Sequence, residues 1–170
     1  VKMKHSFVKI MEYVTEGDKK LIHELEECIL DTEHYYEQHE ETFEERGIEG
    51  DEEEEEIQWI AMVDILAREG YVAECDWAEE LEDFLYYVRE LKKVKSMGLE
   101  VKDTWFEEEG EVTEWMEVLD EKWKKENIAM LAFDIDSDSY VFFPCDIAKI
   151  EQLEEWAKEE DFRIAYAKEM

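Results

Sequence analysis

The sequence predicts an α/β (α+β) fold: one domain over residues 1–170, with a helical N-terminal third followed by a mixed sheet of about four to five strands covered by helices. Three observations carry this. Apolar residues recur at helical spacing as far as Gly70. Beyond it, helical stripes alternate with short strand-like runs. Two of those runs, 128–133 and 140–143, are wholly apolar and flank a polar turn, which reads as a buried β-hairpin.

Taken in order, Phe7, Ile10, Met11 and Val14 share a face of a short helix ending near Gly17. Asp18 then caps a longer helix carrying Leu21, Ile22, Leu25, Cys28, Ile29, Tyr35, Tyr36 and Phe43 and closed by Arg46-Gly47. Its register is good as far as Ile29 and looser afterwards, which leaves room for a break near Asp31 and Thr32. Residues 37–56 hold twelve acidic residues and one basic one, Arg46, interrupted by Gly47 and Gly50. Residues 47–51 read as a loop and 52–56 as the first turn of the next helix, where carboxylates meet the partial positive charge of free N–H groups. That helix, 57–69, is apolar almost all round and is expected to be buried on most sides.

Residues 71–75 read as a short strand. Asp76-Trp77-Ala78-Glu79 matches a capping box opening a helix with Phe84, Leu85, Val88 and Leu91 on one face. Residues 99–102 are expected to form an edge strand, and 103–110 a loop carrying Trp105 and Phe106. Val112, Trp115, Met116, Leu119 and Trp123 make another inward stripe. After the hairpin Pro144 breaks the second strand, Asp146 caps a last helix, and residues 162–167 close the sheet.

Composition limits the function classes. Hydrophobic residues make up 45% of the 170, enough to build a core. With 51 Asp and Glu against 19 Lys and Arg, the formal charge is −32. Such a chain repels phosphate backbones and anionic membrane surfaces, so direct nucleic-acid or membrane binding is disfavoured and a basic protein is the partner the charge suits. A charged surface serving solubility alone is the plainer explanation. Cys28, Cys75 and Cys145 are odd in number and widely spaced, as expected of buried free thiols in a reducing, cytoplasmic setting. No apolar run reaches the roughly 18 residues of a membrane span.

The candidate chemistry lies in Asp134-Ile-Asp136-Ser-Asp138, alternate carboxylates after a buried strand, which suits a hard divalent cation. Asp76, at the end of an earlier strand, is positioned to converge with them if the two strands are neighbours. The calcium-loop template fails, because Ser139 stands where glycine is needed and Cys145 where a bidentate glutamate is needed. A polar hairpin turn whose Asp and Ser side chains bond local N–H groups explains the same residues. Too few residues follow for an aspartyl phosphotransferase of the haloacid-dehalogenase type. His34 and His39 are five apart, off the same-face spacing. No phosphate-binding glycine loop, nucleophile elbow or zinc-protease motif occurs. Trp77 and Trp105, near loops, are candidates for the rim of a groove.

The segments from Ile57 to Trp77 and from Leu119 to Tyr140, which close on Gly70-Tyr-Val-Ala-Glu-Cys-Asp-Trp77 and Ala132-Phe-Asp-Ile-Asp-Ser-Asp-Ser-Tyr140, resemble an uncharacterised family of small acidic bacterial proteins. The resemblance implies one domain in a bacterial cytosol and carries over no functional residues. The expectation is a non-enzymatic, immunity- or antitoxin-like domain that binds a basic partner. The alternatives are a metal-binding protein or metal-dependent enzyme using Asp134, Asp136, Asp138 and Asp76, and, more weakly, a DNA mimic.

Overall fold

The computed structural model describes residues 4–170. The chain folds as two compact units, one ending at Leu66 and the other running from Ala67 to Met170.

The first unit is helical, as expected: α1 Ser6–Val14, α2 Lys19–Leu30, α3 Thr32–Gln38, α4 Glu40–Glu45 and most of α5 Glu54–Arg68. Asp18 caps α2 by accepting the N–H groups of Lys20 and Leu21. The expected break after α2 has a local cause. Asp31 accepts the His34 N–H and so starts α3, while the Thr32 hydroxyl donates back to the Cys28 carbonyl at 2.8 Å. Buried Gln58 of α5 donates to that same hydroxyl at 2.9 Å, so the break is held by tertiary contact as well. Phe7, Ile10, Leu25, Phe43, Trp59 and Met62 are almost fully buried. Arg46 reaches Asp64, the one carboxylate within the apolar run of α5, with Nη2 at 2.7 Å and Nε at 2.8 Å from Oδ1.

The acidic stretch divides into a loop and a helix start, but α5 begins at Glu54 rather than at Glu52. Glu54, Glu55 and Glu56 form the first turn of α5, and Glu52 closes the loop before it by accepting the N–H groups of Glu49 (3.0 Å) and Gly50 (2.8 Å). Gly50 sits at φ +98°, and a Cβ there would lie 2.8 Å from Tyr36 Cε1. Tyr36 cannot yield easily, because it stacks on Phe43 and donates its hydroxyl to the Ile48 carbonyl at 3.1 Å. Gly50→Ala is therefore expected to destabilise this unit by about 1–3 kcal/mol in urea unfolding, a backbone and steric penalty without loss of any buried group.

The second unit contains β1 Ala73–Asp76, α6 Leu81–Glu90, α7 Lys92–Met97, α8 Val112–Trp123, β2 Ile128–Phe133, β3 Ser139–Asp146, α9 Ile150–Glu159 and β4 Ile164–Tyr166. The strands form one sheet in the order β1-β3-β2-β4. The two apolar runs are its central pair, and all six residues of β2 are buried. Every pairing is antiparallel, so the α+β class stands while the sheet is not mixed in direction. The short β2–β3 turn makes that pair antiparallel, and β1 and β4 flank it, each running opposite to its neighbour. One face of the sheet packs on α6 and α8 through Phe84, Leu85, Val88, Trp115, Met116 and Leu119 against Met130, Ala132 and Phe142.

Three local expectations are corrected. Residues 99–102 are not a strand: the Glu100 carbonyl accepts the Trp123 indole N–H (2.9 Å) and the Val101 carbonyl accepts Arg89 Nη2 (2.8 Å), so side chains take ladder positions. Pro144 does not break β3 but lies within it, opposite Met130. The Met130 N–H is given to Asp120 Oδ1 at 2.7 Å rather than to β3, so this is a non-hydrogen-bonded pair and the proline nitrogen faces away from β2. On that other side β1 pairs no further along β3 than Phe142, so no ladder bond is lost there. Finally, the Asp76-to-Glu79 box forms, yet it does not cap α6. Glu79 Oε2 accepts the Asp76 N–H at 3.2 Å and Asp76 Oδ1 accepts the Ala78 N–H at 2.9 Å, which closes a turn ahead of the helix.

Candidate functional site

At one end of the sheet the carboxyl ends of β1 and β2 meet the amino ends of β3 and β4. A cleft of about 270 Å³ opens there, among Trp77, Asp134, Asp138, Tyr140 and Arg163. Strand geometry supplies each wall. Trp77 follows β1, and its N–H donates to the Asp138 carbonyl at 2.9 Å, tying the 76–79 turn to the hairpin turn. Its indole is 59% exposed, among the most exposed large apolar side chains of the described residues. Tyr140, half-buried in β3, pairs with Cys75, and burial pushes its phenol above the ordinary tyrosine range.

The four aspartates singled out from sequence share this end of the molecule, since β1 and β2 both finish here. Asp134, Asp136 and Asp138 lie in the turn between β2 and β3, whereas Asp76 ends β1, and Asp134 and Asp76 are engaged separately. Asp134 Oδ1 accepts the Asp136 N–H at 2.9 Å, and its Oδ2 lies 3.4 Å from Arg163 Nη1. Asp136 adopts φ +53°, a left-handed turn conformation that aspartate tolerates better than most residues. The Ser139 N–H goes to the Ser137 hydroxyl at 3.1 Å. Asp76 is occupied by its own turn. Local N–H groups thus take up much of the carboxylate and hydroxyl capacity, as in a polar hairpin turn. Among the described residues no group of three or more His, Cys, Asp or Glu is arranged to hold a metal ion.

Nothing in the local sequence marks Arg163. It stands just ahead of β4, and only the pairing of β4 with β2 brings it to Asp134. Asp120 does carry a signal that sequence reasoning missed: it falls four residues after Met116 and three before Trp123, on the buried stripe of α8. Its Oδ1 accepts the Met130 N–H where β4 has ended, so it replaces a missing strand partner. Oδ2 is buried without a hydrogen-bond donor, the Lys168 ammonium lying 3.8 Å away. Burial pushes this carboxyl up to about 6, against a smaller lowering from the Met130 N–H and Lys168.

The remaining candidates are structural. All three cysteines are buried, and none forms a disulfide among the described residues. Burial, reinforced by Glu24 at Cys28 and by Glu79 at Cys75, pushes both thiols up to about 12, far from a reactive thiolate. His39 stacks on Tyr35 with ring centroids 4.0 Å apart, and one of its nitrogens meets the Tyr35 carbonyl. Trp105 is partly buried against the core of the second unit, with Lys122 over its ring, so of the two loop tryptophans only Trp77 lines the cleft. No helix among the described residues is long and apolar enough to cross a membrane.

Residues 6–167 match a family model described as Domain of unknown function (DUF6630), as the resemblance of the central segments implied. Neither a curated protein nor a solved structure matches the chain.

Proposed function

Because the chain belongs to the DUF6630 family, whose description assigns no activity, we propose from its own residues that it is a non-enzymatic, acidic interaction domain for a basic protein. The carrying observation is the charge, −32 over 170 residues. A field of that strength concentrates cationic partners near the surface, speeds their encounter and repels nucleic acids and anionic lipids. An immunity- or antitoxin-like neutralisation of a basic protein in a bacterial cytoplasm suits a small acidic chain of this kind. Support for an enzyme is weaker, because the Cys28 and Cys75 thiols are held far above neutrality. The divalent-cation reading has less behind it as well, since Asp134 is engaged by Arg163 and by the Asp136 N–H.

Titration of the full chain with a basic probe protein such as lysozyme, and with an acidic protein of similar size, tests this reading. The expected outcome is binding of the basic probe alone, with log K falling linearly as log salt rises. Absence of binding at low salt, or equal binding of both probes, overturns it.

A further inference from the structure

We propose that the cleft at the end of the sheet receives the guanidinium of an arginine side chain presented by the basic partner, an inference that rests on the reading above. The cleft, about 270 Å³, falls short of the roughly 300–1,000 Å³ of pockets that enclose cofactors or drug-sized ligands. It suits a single protruding side chain. One wall is the exposed Trp77 indole, and the backbone that carries it is fixed by the hydrogen bond to Asp138 and by the closed 76–79 turn. An exposed aromatic face beside carboxylates attracts a cation through both ring quadrupole and charge. Asp138, which is exposed, supplies the free-standing wall carboxylate, and Asp134, held by Arg163 and the Asp136 N–H, adds its charge to the same cleft.

The cleft already holds a guanidinium of its own. Arg163, half-exposed, rests with Nη1 at 3.4 Å from Asp134 Oδ2, well beyond the 2.7–2.9 Å or so of a charge-assisted hydrogen bond. A second planar guanidinium is able to stack on Trp77 and fork onto Asp138, with Arg163 as its competitor for the shared negative field. Arginine is favoured over lysine because its delocalised, weakly hydrated plane stacks on indole and bonds a carboxylate through two donors at once. An anion anchored on Arg163 is the opposing possibility, and it works against the charge of the whole chain. The two differ in the sign of the effect of removing Arg163.

Calorimetry of the full chain at low salt, with triarginine amide, trilysine amide and an acidic tripeptide as probes, makes the test. Trp77, Asp138 and Arg163 are exposed, so their truncation leaves the core intact. Triarginine is expected to bind several-fold more tightly than trilysine, to weaken about five- to tenfold in Trp77→Ala and in Asp138→Asn, and to tighten about threefold in Arg163→Gln. Unchanged triarginine affinity in the Trp77 and Asp138 variants, weakening in Arg163→Gln, or preference for the acidic probe overturns the arginine pocket. If triarginine still binds in a salt-sensitive way under either of the first two outcomes, the basic-partner reading survives and only the pocket is lost. If no cationic probe binds the wild-type chain, both fall together.

Discussion

Phe142→Ala is expected to destabilise the second unit by about 3–5 kcal/mol, with the cost near the top of that range. Phe142 is fully buried in the central strand β3, and its ring lies 5.7 Å from that of Phe84 on α6. Its lateral partners in the sheet are Ala73 on β1 and Ala132 on β2. Two small side chains flank the ring, so neither is able to swing into the space its removal leaves, and the cavity stays largely open. Phe142→Leu, which preserves more of the volume, is expected to cost much less. Urea unfolding followed by far-ultraviolet circular dichroism measures both. A loss below about 1 kcal/mol for the alanine variant would mean that this core collapses around the deletion, contrary to the packing described.

The second large effect is a stability that falls as pH rises through the weakly acidic range. The Asp120 carboxyl is raised from its ordinary 3.8 to about 6, so the folded chain holds a proton there that the unfolded chain has released. Between these values folding takes up a proton, and stability decreases with increasing pH. The interval corresponds to about 3 kcal/mol, present below pH 4 or so and lost by about pH 6 to 7. The side chain is only 10% exposed, which leaves little solvent screening to reduce the effect. Relief of the general acidic repulsion at low pH adds to the same trend. Asp120→Asn separates the two, because it keeps an oxygen for the Met130 N–H while abolishing the titration. Its unfolding free energy is expected to vary less between pH 4 and 7 than that of the wild type, and to exceed it at pH 7. Parallel curves would show that Asp120 does not titrate in this window.

Much of this architecture is legible in the sequence because it depends on close neighbours along the chain. The break at Asp31 and Thr32 and the acidic first turn of α5 arise largely from side chains acting on backbone a few residues away, and the β2–β3 hairpin from two apolar runs joined by a short turn. The candidate site is legible only in part. Asp134, Asp136, Asp138, Asp76 and Trp77 do gather at one end of the sheet, and the local N–H bonds of Asp134 are those of the polar hairpin turn that the residues suggest; that the Asp76 box closes a turn ahead of α6, and that Arg163 reaches Asp134, depend on the folded chain. Pro144 misleads for a similar reason: whether a proline interrupts a strand depends on which side of the ladder its nitrogen faces.

Composition and periodicity alone therefore determined the helical first third, the apolar central hairpin and the strongly negative field, since each is a property of the residues themselves or of a short run of them. The tertiary structure alone decided the antiparallel order β1-β3-β2-β4, the approach of Arg163 to Asp134 and the bond from the Met130 N–H to Asp120 past the end of β4. Those features join residues that lie tens of positions apart or on elements that meet only in the folded chain, and only packing of the whole sheet brings them into contact.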